Sequence, residues 1–205
     1  MQKTGGKNWQ ERIILAGFGG QGIVLMGKVI AYAALLERRH VTCLPSYGPE
    51  MRGGTANCMV TISTDKIGSP YVIDPTCLIA MNLPSLNFFE SRVEPGGCII
   101  VNTSLVPRET KRKDVLAGGI EATRIAEELG DDRVANMVAL GTFVKLRPVV
   151  TVNSLIGALP KALSTRKTRM LSLDEKAVRR GTELGLKMEE PVNAKYRYSY
   201  RLRAL

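Results

Sequence analysis

Hydrophobic positions along the chain alternate between two periods. Residues 13–16 are a short, continuous apolar run (Ile13, Ile14, Leu15, Ala16), the pattern of a strand buried on both faces of a parallel sheet. From 23 to 36 the apolar residues fall at helical spacing (Ile23, Met26, Gly27, Ile30, Ala33, Ala34) among good helix formers, which predicts a helix. Between them lies a dense glycine turn, so the chain opens as strand, turn, helix. Further strands are predicted over 40–44, 77–82, 98–102 and 119–122, and an alternating, antiparallel one over 57–63. Asp65 and Lys66 make a turn, and 67–72 reads as a short irregular or edge segment because Pro70 cannot donate to a ladder. Helical patterns cover 83–91 behind a capping Asn82, 123–129 before a Gly130 stop, 134–147, 155–164 with a kink at Pro160, and 173–185 behind a Ser172/Glu175 capping box. Strands separated by helices imply an α/β fold: a wound, mostly parallel sheet with helices on both faces.

Composition narrows this picture without redirecting it. At 205 residues the chain is read as a single α/β domain over 1–185, followed by a basic, tyrosine-rich tail over 186–205. No apolar run approaches the length of a membrane span, and the polar start lacks the apolar core of a secretory signal, so a cytoplasmic, reducing location is expected. Cys43, Cys58, Cys77 and Cys98 form no C-x-x-C pair and His40 is the single histidine, which argues against an iron–sulfur or zinc site and against a hydrolase triad on this chain. The four cysteines are expected to serve as small buried residues.

The net charge of +10 gathers late, at Lys161, Arg166, Lys167, Arg169, Lys176, Arg179 and Arg180 and again at Lys195, Arg197, Arg201 and Arg203. Such a surface suits an acidic partner, a phosphorylated ligand or nucleic acid, or is simply a solvated face. The stretch 108–113 is read as charged and exposed. In the tail, Tyr196, Tyr198 and Tyr200 alternate with basic residues, a pattern fitting a strand added to a partner's sheet, a stacking surface or an unstructured end. No nucleic-acid module accompanies the charge, so nucleic acid is disfavoured.

Two loops carry the candidate chemistry. Gly17, Gly19 and Gly22 fit G-x-G-x-x-G, with Phe18, Gly20 and Gln21 between them. Such a turn allows positive φ and aims N–H groups of the first helical turn at an anion above the strand end. A dinucleotide site would add an acidic residue at the end of the second strand, and the chain has none there: Glu37 comes too early. NAD and FAD are therefore disfavoured, and a tight turn with no ligand stays open. The second loop runs from Pro45 through Ser46, Tyr47, Arg52, Gly53 and Gly54 to Thr55. If the first two strands end on one side of the sheet, this loop lies beside the glycine turn. There Arg52 offers a planar fork for phosphate or carboxylate, Gly53 and Gly54 offer backbone N–H groups, and Tyr47 a flat face and a hydroxyl. Bracing of the loop, or contact with a partner subunit, explains the same residues. Asn136, polar within the apolar 134–147 pattern, needs a partner in nearby backbone or in a ligand.

With both loops read, the chain resembles the gamma subunit of 2-oxoacid:ferredoxin oxidoreductases. The resemblance is carried by residues 17–22 and 46–57, with support from 67–70, 80–82 and 136–141, and it covers most of the chain. It implies a Rossmann-like gamma domain of the pyruvate:ferredoxin oxidoreductase type in a heteromeric enzyme. Such an enzyme oxidatively decarboxylates a 2-oxoacid, transfers the acyl group to coenzyme A and reduces ferredoxin. The resemblance places thiamine diphosphate, magnesium and the iron–sulfur clusters in partner subunits (alpha, beta and a ferredoxin-like delta) and gives this chain no catalytic residue or metal of its own. It assigns coenzyme A to the neighbourhood of Gly17, Gly19, Gly20, Gln21, Gly22, Ser46, Tyr47, Arg52, Gly53 and Gly54. The wording of 44–54 is most similar to the 2-oxoglutarate enzymes, with the 2-oxoisovalerate and pyruvate enzymes behind. A purely structural clamp, an indolepyruvate oxidoreductase subunit and a stand-alone nucleotide-binding protein are the alternatives. The tail matches no part of the family pattern.

Overall fold

The computed structural model describes residues 9–48, 54–163 and 170–184. In chain order the elements are β1 (Gln10–Phe18), α1 (Ile23–Leu36), β2 (His40–Tyr47), β3 (Thr55–Ser63), β4 (Cys77–Ala80), α2 (Leu83–Phe89), β5 (Cys98–Asn102), β6 (Leu116–Ile120), α3 (Ala122–Glu128), α4 (Ala135–Leu146), α5 (Val152–Ala162) and α6 (Leu171–Leu184). The strands make one six-stranded sheet ordered β2-β3-β1-β4-β5-β6. β1, β4, β5 and β6 are mutually parallel, whereas β3 is antiparallel to both β1 and β2. Because β3 reverses, β2 runs in the direction of β1 and both end at the same edge.

Two apolar layers hold the sheet. One face, through Ile13, Leu15, Val60, Ile79 and Ile100, packs against α1, α3, α4, α5 and α6; the other, through Ile14, Leu78 and Ile99, packs under α2. Helices therefore lie on both faces, and β1 and β4, adjacent and parallel, feed helices on opposite ones. Their C-terminal ends form a topological switch point, where open wound sheets present a crevice.

Most elements form where the pattern puts them. α1 and β5 match to the residue, and the Asn82 side chain caps α2 by accepting a hydrogen bond from Ser85 N at 2.9 Å. α4 is buried nearly all round because α6 crosses it at backbone contact: a Cβ on Gly141 would stand 2.1 Å from Val178 O, and one on Gly181 2.0 Å from Val138 O.

Several expectations change. β1 extends the apolar run at both ends because all nine of its residues find partners on β3. β2 continues through Pro45, Ser46 and Tyr47, which read as loop; as an outermost strand it tolerates a residue that cannot donate. β6 starts at Leu116, and α3 begins one residue earlier than its pattern. Ser172 lies inside α6, not at its cap, since the helix starts at Leu171. Arg108 and Arg112 are half-buried, held by Glu90 and Asp114 at 2.7 and 2.6 Å. On α6, Arg179 and Arg180 pair with Glu175 and Glu183, so part of the late basic cluster is neutralised locally. Arg166, Lys167, Arg169 and the tail lie outside the described residues. Among those described, no helix is long and apolar enough to cross a membrane.

Candidate functional site

The glycine turn caps β1 and bends the chain into α1. Gly20 (φ 104°) and Gly22 (φ 71°) occupy the left-handed region that side chains disfavour. Their surroundings differ. A Cβ on Gly22 would stand 2.1 Å from Asn136 Nδ2, whereas one on Gly20 would meet nothing within 4 Å. Gly17 is also needed for packing, its missing Cβ being 2.6 Å from Gln21 Oε1. So a side chain at Gly17 or Gly22 would meet the protein's own interior, whereas of these three glycines Gly20 alone has open space where its Cβ would stand.

Gln21 braces the turn. Its Oε1 accepts a hydrogen bond from Phe18 N at 2.7 Å, and its Nε2 donates to Met81 O at 3.3 Å, tying the turn to the end of β4. From behind, buried Asn136 donates through Nδ2 to Gly22 O at 3.3 Å, while its Oδ1 accepts from Met137 N at 2.9 Å. Its partners are backbone. Gly22 has no side chain to cap α1, so the first-turn N–H groups have no side-chain acceptor.

The two loops meet. Gly19 N donates to Gly54 O at 2.9 Å, and Gly48 N to Thr55 O at 2.7 Å closes the base of the second loop. Above them lies a cleft of about 340 Å³ lined by Phe18, Gly19, Gly20, Gly22, Ile23, Val24, Leu25, Lys28, Tyr47, Ala56 and Ala162. It takes in Gly19, Gly20, Gly22 and Tyr47 of the expected site. Gly17, Gln21 and Gly54 stand behind it as supports, and the Gly19 N–H is spent on Gly54 rather than left for a ligand. Ser46, exposed on β2, is absent from the lining, as its neighbour Tyr47 points to the other side of the strand. Arg52 and Gly53 lie outside the described residues.

Lys28 is the residue that loop reading misses. It is exposed, lies along the cleft, and is the one charged residue in the α1 sequence, which was the available signal. Ala162, from the end of α5, is a lining residue with no sequence signal at all. No carboxylate lines the cleft among the described residues, and Lys28 and the start of α1 are the groups along it whose charge and dipole favour an anion. Likewise, no group of three or more metal-capable side chains occurs among them.

The family model for pyruvate ferredoxin/flavodoxin oxidoreductase matches residues 12–184, from β1 to the end of α6. The chain belongs to this family. Within it, the ketoisovalerate oxidoreductase subunit VorA of Methanothermobacter marburgensis is 44% identical over 135 residues, covering 66% of this chain and 28% of VorA. The chain thus matches less than a third of that relative's length. The 2-oxoglutarate synthase subunit KorC of Methanocaldococcus jannaschii is 36% identical over 153 residues, covering 73% of this chain and 82% of KorC. A keto/oxoacid ferredoxin oxidoreductase gamma subunit from Geobacter sulfurreducens superposes with a TM-score of 0.74 at 28% identity, over 86% of this chain and 98% of that one. The 2-oxoglutarate:ferredoxin oxidoreductase of Magnetococcus marinus, solved with 2-oxoglutarate, coenzyme A and succinyl-CoA bound, shares the fold. Its TM-score is 0.78 at 24% identity, over 90% of this chain and 32% of that one.

Proposed function

We propose that this chain is the gamma-type subunit of a cytoplasmic 2-oxoacid:ferredoxin oxidoreductase and that its cleft binds a phosphate-bearing part of coenzyme A. The observation that carries the reading is the juxtaposition, on a domain of this family, of Gly20 in an open left-handed turn, an uncapped helix start and Lys28. Phosphate suits that donor set. About 340 Å³ is at the small end of ligand pockets, so the cleft takes a portion of the coenzyme and leaves the remainder outside. When bound, coenzyme A supplies the thiol that accepts the acyl group. This chain's part is to hold and orient it: the α1 start and Lys28 by charge, Tyr47 by its ring and hydroxyl, and Arg52 with Gly53 from the neighbouring loop. Thiamine diphosphate, magnesium and iron–sulfur clusters belong to alpha, beta and delta partners in this reading.

The similarity to KorC, which matches over most of its length, supports 2-oxoglutarate as substrate, while the higher identity to VorA keeps 2-oxoisovalerate beside it. In this reading the gamma-type domain is assigned to residues 1–185, and the sequence over 186–205 lies beyond it. A second reading, in which the chain only clamps its partners together, draws on Tyr71, Ile73 and Phe88, large apolar side chains 69%, 75% and 59% exposed. Purifying the chain with its partners from native extract, then assaying ferredoxin reduction with each 2-oxoacid, tests the proposal. Coenzyme A-dependent reduction with 2-oxoglutarate is expected. Recovery of the chain without catalytic partners would overturn it.

A further inference from the structure

We propose that Cys43 and Cys58 form a redox-active dithiol, closed reversibly to a disulfide by hydroperoxides, at the base of the β2–β3 hairpin that borders the cleft. The two sulfurs lie 3.5 Å apart. Cys43 stands opposite Val60 and Cys58 opposite Pro45, so the pair is diagonal across neighbouring strands, with both side chains turned toward α1. The helix leaves room for them: a Cβ on Gly27 would sit 2.3 Å from Cys58 Sγ and 3.4 Å from Cys43 Sγ. Among the described residues β2 has no strand on its outer side, which leaves it free to make the small approach that a bond requires.

The two thiols divide the labour. Cys43 is half-buried, within reach of solvent, while Cys58 is fully buried behind it. The hydrogen bond between them holds the Cys43 thiol below its ordinary pKa against the effect of burial, and Lys28 lowers it further. The same hydrogen bond, with burial, pushes the Cys58 thiol up. A thiolate is the nucleophile in thiol chemistry, so Cys43 attacks first and Cys58 resolves. Cys77 and Cys98 are also register neighbours, but both are sealed in the core. Burial, above all, raises the Cys77 thiol.

The step balances. The Cys43 thiolate attacks the hydroperoxide, forming S–O and breaking O–O, and the departing oxygen takes up a proton as water or an alcohol. Cys58, giving up its proton, then attacks the sulfenic sulfur and expels water. Two thiols lose two electrons and the peroxide gains them. The disulfide would close the loop between positions 43 and 58, which contains Ser46, Tyr47 and Arg52–Gly54, and so pin the hairpin.

The test is to treat the fully reduced full chain with one equivalent of hydrogen peroxide, count thiols and map non-reduced peptides. Two of the four thiols should disappear, the Cys43 and Cys58 peptides should become linked within one chain, and dithiothreitol should restore both. C58S should trap a dimedone-reactive sulfenic acid on Cys43. In untreated protein, iodoacetamide should label Cys43 about tenfold faster than Cys77 or Cys98, and Lys28→Met should slow it. Survival of all four thiols, linkage between chains, or loss at Cys77 or Cys98 would overturn the proposal. Because the mapping uses the natural sequence, a misfolded variant does not protect it.

Discussion

Near its N-terminal end β1 carries Glu11, fully buried, which accepts hydrogen bonds from Arg147 Nη2 at 2.9 Å and from Thr76 Oγ1 at 2.9 Å. At its C-terminal end the same strand runs through Gly19, Gly20 and Gly22 into a helix start that no side chain caps. The first end satisfies its buried carboxylate internally. Burial works against the charge of Arg147, but the field and hydrogen bonds of Glu11 outweigh it and raise the pKa, so the guanidinium stays protonated. The second end leaves donors facing an open cleft. A strand whose charge is satisfied at one end and whose dipoles lack side-chain partners at the other separates what holds the fold from the end that the proposal gives to a ligand.

The sealed end should break hardest. Glu11→Leu leaves Arg147 charged in the core and should cost about 3–5 kcal/mol in chemical denaturation, with much of the loss recovered by adding Arg147→Met. A loss under about 1 kcal/mol would mean that water reaches the pair. The two left-handed glycines sharpen the contrast within the open end. Gly22→Ala forces a methyl into Asn136 and should cost about 2–3 kcal/mol; Gly20→Ala has room and should cost about 1 kcal/mol. Equal costs would remove the distinction between interior and outward glycines. Asn136→Ala should cost about 1 kcal/mol, through the lost bond to Gly22 O, and should loosen the start of α1 as seen by faster amide exchange.

Legibility followed distance along the chain. Residues 23–36 and 98–102 were readable to the residue because their periods were undiluted, and Asn82 because a cap acts over three positions. Pro45, Ser46 and Tyr47 read as loop, since only pairing with β3 makes them strand. Ser172 and Glu175 had the spacing of a capping box but fell inside a helix that already begins at Leu171. The bond from Arg147 to Glu11 joins residues 136 positions apart, and no local pattern announces it. In the site, the glycine turn was plain, but which glycine faces outward depended on Asn136, which is 114 positions from Gly22. Lys28 was visible as a lone charge in an apolar helix and became meaningful only once Tyr47 and Ala56 stood across from it.

The most direct measurement is calorimetric titration of coenzyme A into the assembled complex carrying the natural chain, Gly20→Ala or Lys28→Gln, at two salt concentrations. The account predicts that each variant weakens the Kd by about tenfold without lost assembly, and that Lys28→Gln flattens the salt dependence. An unchanged Kd in both variants would place coenzyme A elsewhere and leave the open end of β1 without its ligand.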